Sequence, residues 1–330
     1  MAEASIGVRI AGLGKSLGEN ILTNEDLERM VDTSDEWIRT RTGIGTRHIA
    51  ARQTATSDLA FRAAQQALDS AGVAPSDLDL IIVATVTPDM TFPSVACLLQ
   101  AGLGAGHAAA FDLSAACSGF LYGLDVGARF IQSGRYEHVL VVGAETLSRI
   151  TDYTDRRTCV LFGDGAGAAV LEPAPPGKGL LASVLGADGN GKDLMYLPAG
   201  GSRRPASMET VQTGLHYIKM NGNEVFKYAV RIMGDVTTQA LSGAGLGVAD
   251  VDLFIPHQAN YRIIDATARR LGLPPEKVFV NIERYGNMSA ATIPIALREA
   301  AEEGRLRDGA IVVLAAFGGG LTWAASVWRW

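Results

Sequence analysis

The chain of 330 residues holds only three cysteines, an odd number, and no two stand at the spacing of a zinc site. That scarcity excludes a disulfide framework. With no secretory signal at its start, the chain is expected in a reducing, cytoplasmic compartment. Long apolar runs are missing too. No stretch reaches the roughly 18 uncharged residues of a membrane span, and glycines interrupt the apolar segments VVGAETL and VVLAAFGGG, which read as sheet strands. Excess positive charge is also absent: 29 Lys and Arg against 35 Asp and Glu leave a net charge of −6. Nothing widespread could neutralise phosphates, so general nucleic-acid binding is excluded and an acidic partner must meet a local basic patch. No low-complexity tail occurs, and PAPPGKG at 173–179 is the most linker-like segment.

What the chain does have is apolar residue, 48% hydrophobic against 19% charged, enough for a large core. Its length suits about two domain-sized units, and these units resemble each other. ALDSAGVAPSDLDL from Ala67 and ALSGAGLGVADVDL from Ala240 are identical at seven of fourteen positions, at an offset of 173. Each reads as a helix end, a Gly-containing turn and a buried strand, LIIVAT in one half and LFIPHQ in the other. In the same order SAACSGFLYGL (114–124) falls opposite NMSAATIPIAL (287–297), HVLVVGAE opposite AIVVLAAF, and GAAVLE opposite AASVWRW. Alternating helix and strand argue for an α/β unit made twice, residues 1–172 and 173–330, packed face to face with pseudo-two-fold symmetry. A site between the halves would draw residues from both. Two tandem domains with separate sites are the alternative, disfavoured by the short linker.

Cys117 lies where a short apolar strand runs through small residues into an amphipathic helix (109–135). A thiol at a helix N-terminus meets unpaired N–H groups and the positive dipole end, which favour the attacking thiolate. A small buried hydrophobe is the other reading. Cys97, in FPSVACLLQAGLG, reads as the apolar face of a helix, and Cys159, in TCVLF, as a buried strand residue.

Of five histidines, His48 and His107 look superficial, His138 caps a strand and His216 has no polar company. His257 stands where a buried strand ends, the place where α/β sheets build sites, although such a histidine can be structural. Asn287 occupies the second-half equivalent of the Cys117 loop. It is either a helix cap or an amide donor to a developing oxyanion. AFGGGLTW (316–323) offers three glycines after a strand, either a tight turn or an oxyanion hole. FGDGAGA (162–168) lacks dinucleotide-fingerprint spacing and precedes a strand, so nicotinamide binding is rejected and Asp164 reads as part of a structural turn.

Taken together, VDTSDEWIRTRTGI (31–44), FDLSAACSGF (111–120), DRRTCVLFGDGAGA (155–168), MNGNEVFKYAV (220–230), PHQANYRII (256–264), RYGNMSAATIPIAL (284–297) and AFGGGLTW (316–323) resemble the bacterial β-ketoacyl-acyl carrier protein synthase III family of the thiolase superfamily. The resemblance implies the layered thiolase-like fold and a decarboxylative Claisen condensation of a short acyl-CoA starter with malonyl-acyl carrier protein, initiating fatty-acid synthesis. It implies a catalytic triad of Cys117, His257 and Asn287, and an oxyanion hole from the N–H groups of Cys117 and Gly319. Neither metal nor redox cofactor is implied; the coenzyme A thioester is a substrate. Trp37 and Arg156 match an adenine-sandwiching pair, Arg41 a phosphate contact, and Gly222 and Asn260 contacts along the pantetheine arm. Phe92, reaching across a homodimer interface, and Phe317 match acyl-pocket residues. Lys227, Arg262, Arg269 and Arg270 match the carrier-protein docking face; the three arginines are expected on one helix face.

The chain departs from the family in GLGKSLGEN (12–20), which lacks the usual Tyr and Pro, and in Arg157, which makes the coenzyme A mouth more basic. A starter-unit synthase or acyltransferase of a specialised polyketide or lipid pathway is the alternative reading. A non-catalytic member would have lost the Cys. A thiolase would need a second catalytic Cys near the C-terminus, and none follows Cys159.

Overall fold

The computed structural model describes residues 6–330. Nine strands form one hydrogen-bonded mixed sheet: β1 (Gly7–Leu17), β2 (Leu80–Ala84), β3 (Ala109–Leu113), β4 (Val139–Thr146), β5 (Asp164–Ala174), β6 (Gly179–Ala187), β7 (Leu253–Pro256), β8 (Ile311–Gly318) and β9 (Thr322–Arg329). Their order is β7-β8-β9-β6-β1-β5-β4-β2-β3. In the first half β2 runs parallel to β3 and β4, and β4 is antiparallel to β5. In the second half β7 runs parallel to β8, and β8 is antiparallel to β9. The repeat read from the sequence is therefore a repeat of topology. The two half-sheets meet through a single bridge between Val8 and Gly179.

Strands β2, β4 and β8 are buried along their whole length and apolar except for Glu145 and Thr146 at the end of β4, as suits strands covered on both faces. The covering helices are α1 (Asp35–Thr42), α2 (Thr56–Ala71), α3 (Val95–Leu103), α4 (Gly119–Gln132), α5 (Gly222–Gly243), α6 (Tyr261–Leu271) and α7 (Thr292–Glu302). Helices α4 and α7 are the pseudo-symmetric pair and lie in the middle. Phe120, Leu121 and Leu124 of α4 and Ile293, Ala296 and Leu297 of α7 share one core with strands of both halves. Helices α2 and α3 cover the outer face of the first half-sheet, and α5 and α6 that of the second. The result is five layers, with the Cys117 helix between the two half-sheets as expected. The 172/173 boundary falls within the last residues of β5, and residues of both halves share the central core.

Two local readings are corrected. Cys159 is buried but sits in a turn rather than a strand, because the chain must reverse there before β5. Cys97 lies on α3 but is exposed, since Val95, Ala96 and Leu99 supply that helix's buried face.

Candidate active site

From β3 the chain enters a single 3-10 turn, Ala116–Ser118, and then α4. Ala116 has φ +46°, and so does Ser289, its equivalent 173 residues on. Positive φ is uncommon and costly in residues with a Cβ. Both halves thus use the same strained reversal to pass from sheet to central helix. It points Cys117 into a cavity. Opposite, β8 ends on Gly318, where a Cβ would stand 2.6 Å from Cys117 N and 3.0 Å from Cys117 Cβ, so only glycine allows this approach. A Cβ on the next residue, Gly319, would meet Met195 and Ala116, which sets Gly319 beside the nucleophile turn.

Burial works against the thiolate that the helix start favours at Cys117. Burial pushes its thiol up from 9.0 to about 12, and the nearby Glu145 charge adds to that rise. A three-unit rise is worth about 4 kcal/mol, whereas a helix terminus supplies at most about 2 kcal/mol. Desolvation is the larger of the two and favours the thiol.

His257 follows the last residue of β7, and its N–H donates to Ala315 O at 2.8 Å, extending the pairing with β8. The loop behind it is locked by Gln258, whose amide donates to Pro256 O and Phe279 O and accepts from Asn281 N at 3.0 Å. His257 Nδ1 lies 2.6 Å from Thr292 Oγ1 at the start of α7, and the buried Nε2 has no protein partner. Burial pushes the imidazole down to about 3, so it is neutral over the working range.

Asn287 is clamped by its backbone to the FGDG segment: its N–H donates to Leu161 O at 2.9 Å and its carbonyl accepts from Gly163 N at 3.0 Å. Its Oδ1 accepts from Ser289 N at 2.8 Å, which leaves the NH₂ end to donate. Asp164, as expected, is structural: it accepts from Ala50 N and from Ser148 N and Oγ.

Cys117, His257, Asn287 and Phe317 open on one cavity of about 1110 Å³, with Trp37, Arg41, Gly222, Asn260, Lys227 and Arg262 along its walls. Asn260 caps α6 by accepting from Arg262 N and donates to Arg41 O at 3.1 Å, tying the two walls together. Arg156 lies 5.4 Å above the Trp37 ring and Arg41 5.9 Å from it. At that separation no ring fits between Arg156 and Trp37, so a sandwiched adenine must move the guanidinium. Arg157 does line the cavity, but Asp155 pairs with it at 2.8 Å and offsets the extra charge. Phe92 is 82% exposed and lies outside this cavity.

The three arginines of the expected docking face lie on one regular helix, α6, but differ in their partners. Arg262 stands at the cavity over the Phe226 ring, but Arg270 turns to α5 and pairs with Asp235 at 2.7 Å, and Arg269 pairs with Asp265 on its own helix. His216 has polar company after all, with Thr210 Oγ1 2.9 Å from its Nε2.

Sequence reasoning missed Thr292 and Glu145. Glu145 is fully buried, with Thr85, Thr87 and the Val86 N–H donating to its carboxylate, yet burial dominates and pushes it up to about 7. The signal was its isolation as the one charge in VVGAETL. Thr292 looked like an ordinary helix residue. Among the described residues no cluster of His, Cys, Asp or Glu could hold a metal ion, and no helix is long and apolar enough to cross a membrane.

Comparison with known proteins places this geometry in context. The family model for 3-oxoacyl-[acyl-carrier-protein] synthase III matches residues 111–189, and that for its C-terminal part matches residues 241–330. A β-ketoacyl-[acyl-carrier-protein] synthase III of Symbiobacterium thermophilum is 60% identical over 323 residues, 98% of each chain. That of Natranaerobius thermophilus is 57% identical over 325 residues, 98% of this chain and 99% of its own. Among solved structures, 3-oxoacyl-[acyl-carrier-protein] synthase III from Aquifex aeolicus has a TM-score of 0.91 at 50% identity, covering 98% of this chain and 100% of that one. The priming β-ketosynthase of the R1128 polyketide pathway also has a TM-score of 0.91, at 35% identity, covering 99% of this chain and 97% of its own.

Proposed function

The chain belongs to the β-ketoacyl-[acyl-carrier-protein] synthase III family of condensing acyltransferases, and we propose that it joins a short acyl-CoA starter to malonyl-acyl carrier protein, releasing carbon dioxide and a 3-ketoacyl-carrier protein. The observation that carries this is the convergence of Cys117, His257 and Asn287 on a single cavity long enough to have Trp37 and Arg41 on its walls.

Cys117 sulfur attacks the thioester carbonyl, with the oxyanion held by the N–H groups of Cys117 and Gly319. The carbon–sulfur bond to coenzyme A breaks, and the thiol proton leaves on the coenzyme A sulfur, so acylation needs no net proton. Malonyl-carrier protein then binds. Its carboxylate departs as carbon dioxide, and the bonding pair becomes an enolate whose oxygen accepts from His257 Nε2–H and Asn287 Nδ2–H. Being neutral, His257 stabilises this oxygen as a donor rather than by ceding a proton. The enolate carbon attacks the acyl group. The Cys117 thiolate that leaves takes a proton from solvent, as its high affinity for one requires.

Identities of 53–60% to β-ketoacyl-carrier protein synthases III favour fatty-acid initiation. The R1128 neighbour keeps priming of a specialised pathway as the second reading. The protein is further proposed to act as a homodimer, since Phe92, Met90 and Val86 stand exposed between β2 and α3.

The test is intact mass after a panel of acyl-CoAs, followed by malonyl-carrier protein. One acyl adduct on Cys117 and a 3-ketoacyl product are expected. Cys117→Ala should take no adduct. His257→Ala and Asn287→Ala should acylate yet lose carbon dioxide release by about 10²–10³-fold. An adduct that malonyl-carrier protein cannot discharge would make the protein a simple acyltransferase.

A further inference from the structure

A buried hydroxyl with no hydrogen bond destabilises a fold, and so does strained backbone. Ser289 carries both. Its Oγ is buried without a partner, and its φ is +46°. The turn itself has no need of that hydroxyl, because its first-half equivalent, Ala116, takes the same φ with a methyl side chain. Asn287 has no need of it either, since the Ser289 backbone N–H is what orients its amide.

The position of the hydroxyl supplies a reason. The turns Ala116–Ser118 and Ser289–Ala291 pack against each other. Strand β4 runs so close to the second turn that a Cβ on Gly143 would stand 2.3 Å from Ala290 O, and Glu145 lies two residues further along that strand. The Ser289 hydroxyl thus lies between the Cys117 thiol and the Glu145 carboxyl. Burial raises the proton affinity of both groups, and the hydroxyl is near enough to work against it in each.

Two acceptors face one hydroxyl proton, and in the resting structure it bonds to neither. Glu145 is already met by Thr85, Thr87 and the Val86 N–H. Besides Ser289, the sulfur of Cys117 has only its own backbone N–H as a nearby donor, and the proposed reaction directs that N–H to the substrate oxyanion. A neutral thiol is a weak acceptor, whereas a charged one draws a donor strongly.

We propose that Ser289 is a catalytic residue: its hydroxyl donates to the Cys117 sulfur when that atom takes negative charge, first in attacking the starter thioester and again when the enolate carbon displaces it. The second step rests on the proposed condensation; the first needs only a thioester. The Ser289 proton stays on its own oxygen throughout. Such a donor strengthens as charge develops and contributes little before, so it lowers the barrier without holding the resting thiol.

The test removes the hydroxyl in two ways. Ser289→Ala keeps the turn, as Ala116 shows, and Ser289→Gly suits the positive φ better than serine does. In both, alkylation of Cys117 by iodoacetamide should run about 5–20-fold slower than wild type at each pH. A hydrogen bond to a charged group is lost, and the more basic sulfur recovers part of the rate through greater nucleophilicity. Single-turnover acylation by acetyl-CoA should slow in both variants as well. Wild-type alkylation in either folded variant overturns the proposal and leaves the hydroxyl to Glu145 or to the backbone. If Ser289→Ala does not fold, Ser289→Gly decides. Alkylation needs neither acyl-CoA nor carrier protein, so it judges Ser289 even where the condensation itself fails to occur.

Discussion

A thiol held at about 12 is almost wholly protonated at neutral pH. Alkylation of Cys117 by iodoacetamide should therefore climb about tenfold per pH unit between roughly pH 7 and 10, with no plateau. Peptide mass spectrometry separates it from the exposed Cys97. A plateau near neutrality would show that the helix terminus outweighs burial. Glu145 makes a second residue-scale prediction, about stability. Its folded value of about 7 lies above the ordinary 4.5, so the folded state holds this proton more tightly than the unfolded chain. Its favourable contribution is full below about pH 4.5 and is lost as pH rises through 7. The shift of about 2.5 units corresponds to about 3 kcal/mol. Urea midpoints should fall between pH 5 and pH 8 more steeply in the wild type than in Glu145→Gln; equal slopes would mean that Glu145 stays ionised inside the fold.

Helix α6 links the cavity to the surface, and its charges are unequal. Arg269 and Arg270 are matched by Asp265 and Asp235, whereas Arg262 lies over Phe226 at the cavity wall. Surface pairs contribute little and are screened by salt, but they do cancel long-range attraction for an acidic carrier protein. Arg262→Glu should raise KM for malonyl-carrier protein severalfold at low salt, and Arg269→Glu less. The gap between them should close as salt is added. Equal effects from the two reversals would show that the docking face extends along the whole helix. The central helices α4 and α7 obey a different logic. Each begins at a strained turn, and that repeated backbone sets Cys117 and the Ser289–Thr292 segment against each other.

At the scale of the molecule, an apolar arm remains uncovered. Phe92 is 82% and Met90 47% exposed, the apolar surface on which the proposed homodimer rests. Light scattering should find twice the chain mass at micromolar concentration, and Phe92→Asp should shift the protein toward monomer and alter its preference among acyl chain lengths. A wild-type monomer would remove Phe92 from any acyl pocket.

Much of this was legible in the chain. The duplicated pattern around Ala67 and Ala240 determined a doubled α/β unit, because burial on both faces demands continuous apolar strands and alternating helices. Motif residues determined Cys117, His257 and Asn287, since each stands at a strand end or a helix start where backbone geometry exposes a side chain. Tertiary structure decided the rest. Whether Cys117 is thiol or thiolate, and whether Arg270 is free or matched by Asp235, depends on solvent access and on partners brought from distant segments. Neither leaves a trace in local spacing. Thr292 shows the same limit: it is an ordinary helix residue until the fold sets its hydroxyl 2.6 Å from a histidine 35 positions away. A hydrogen bond depends on where two atoms meet in space, and only the packed central layer brings these two together.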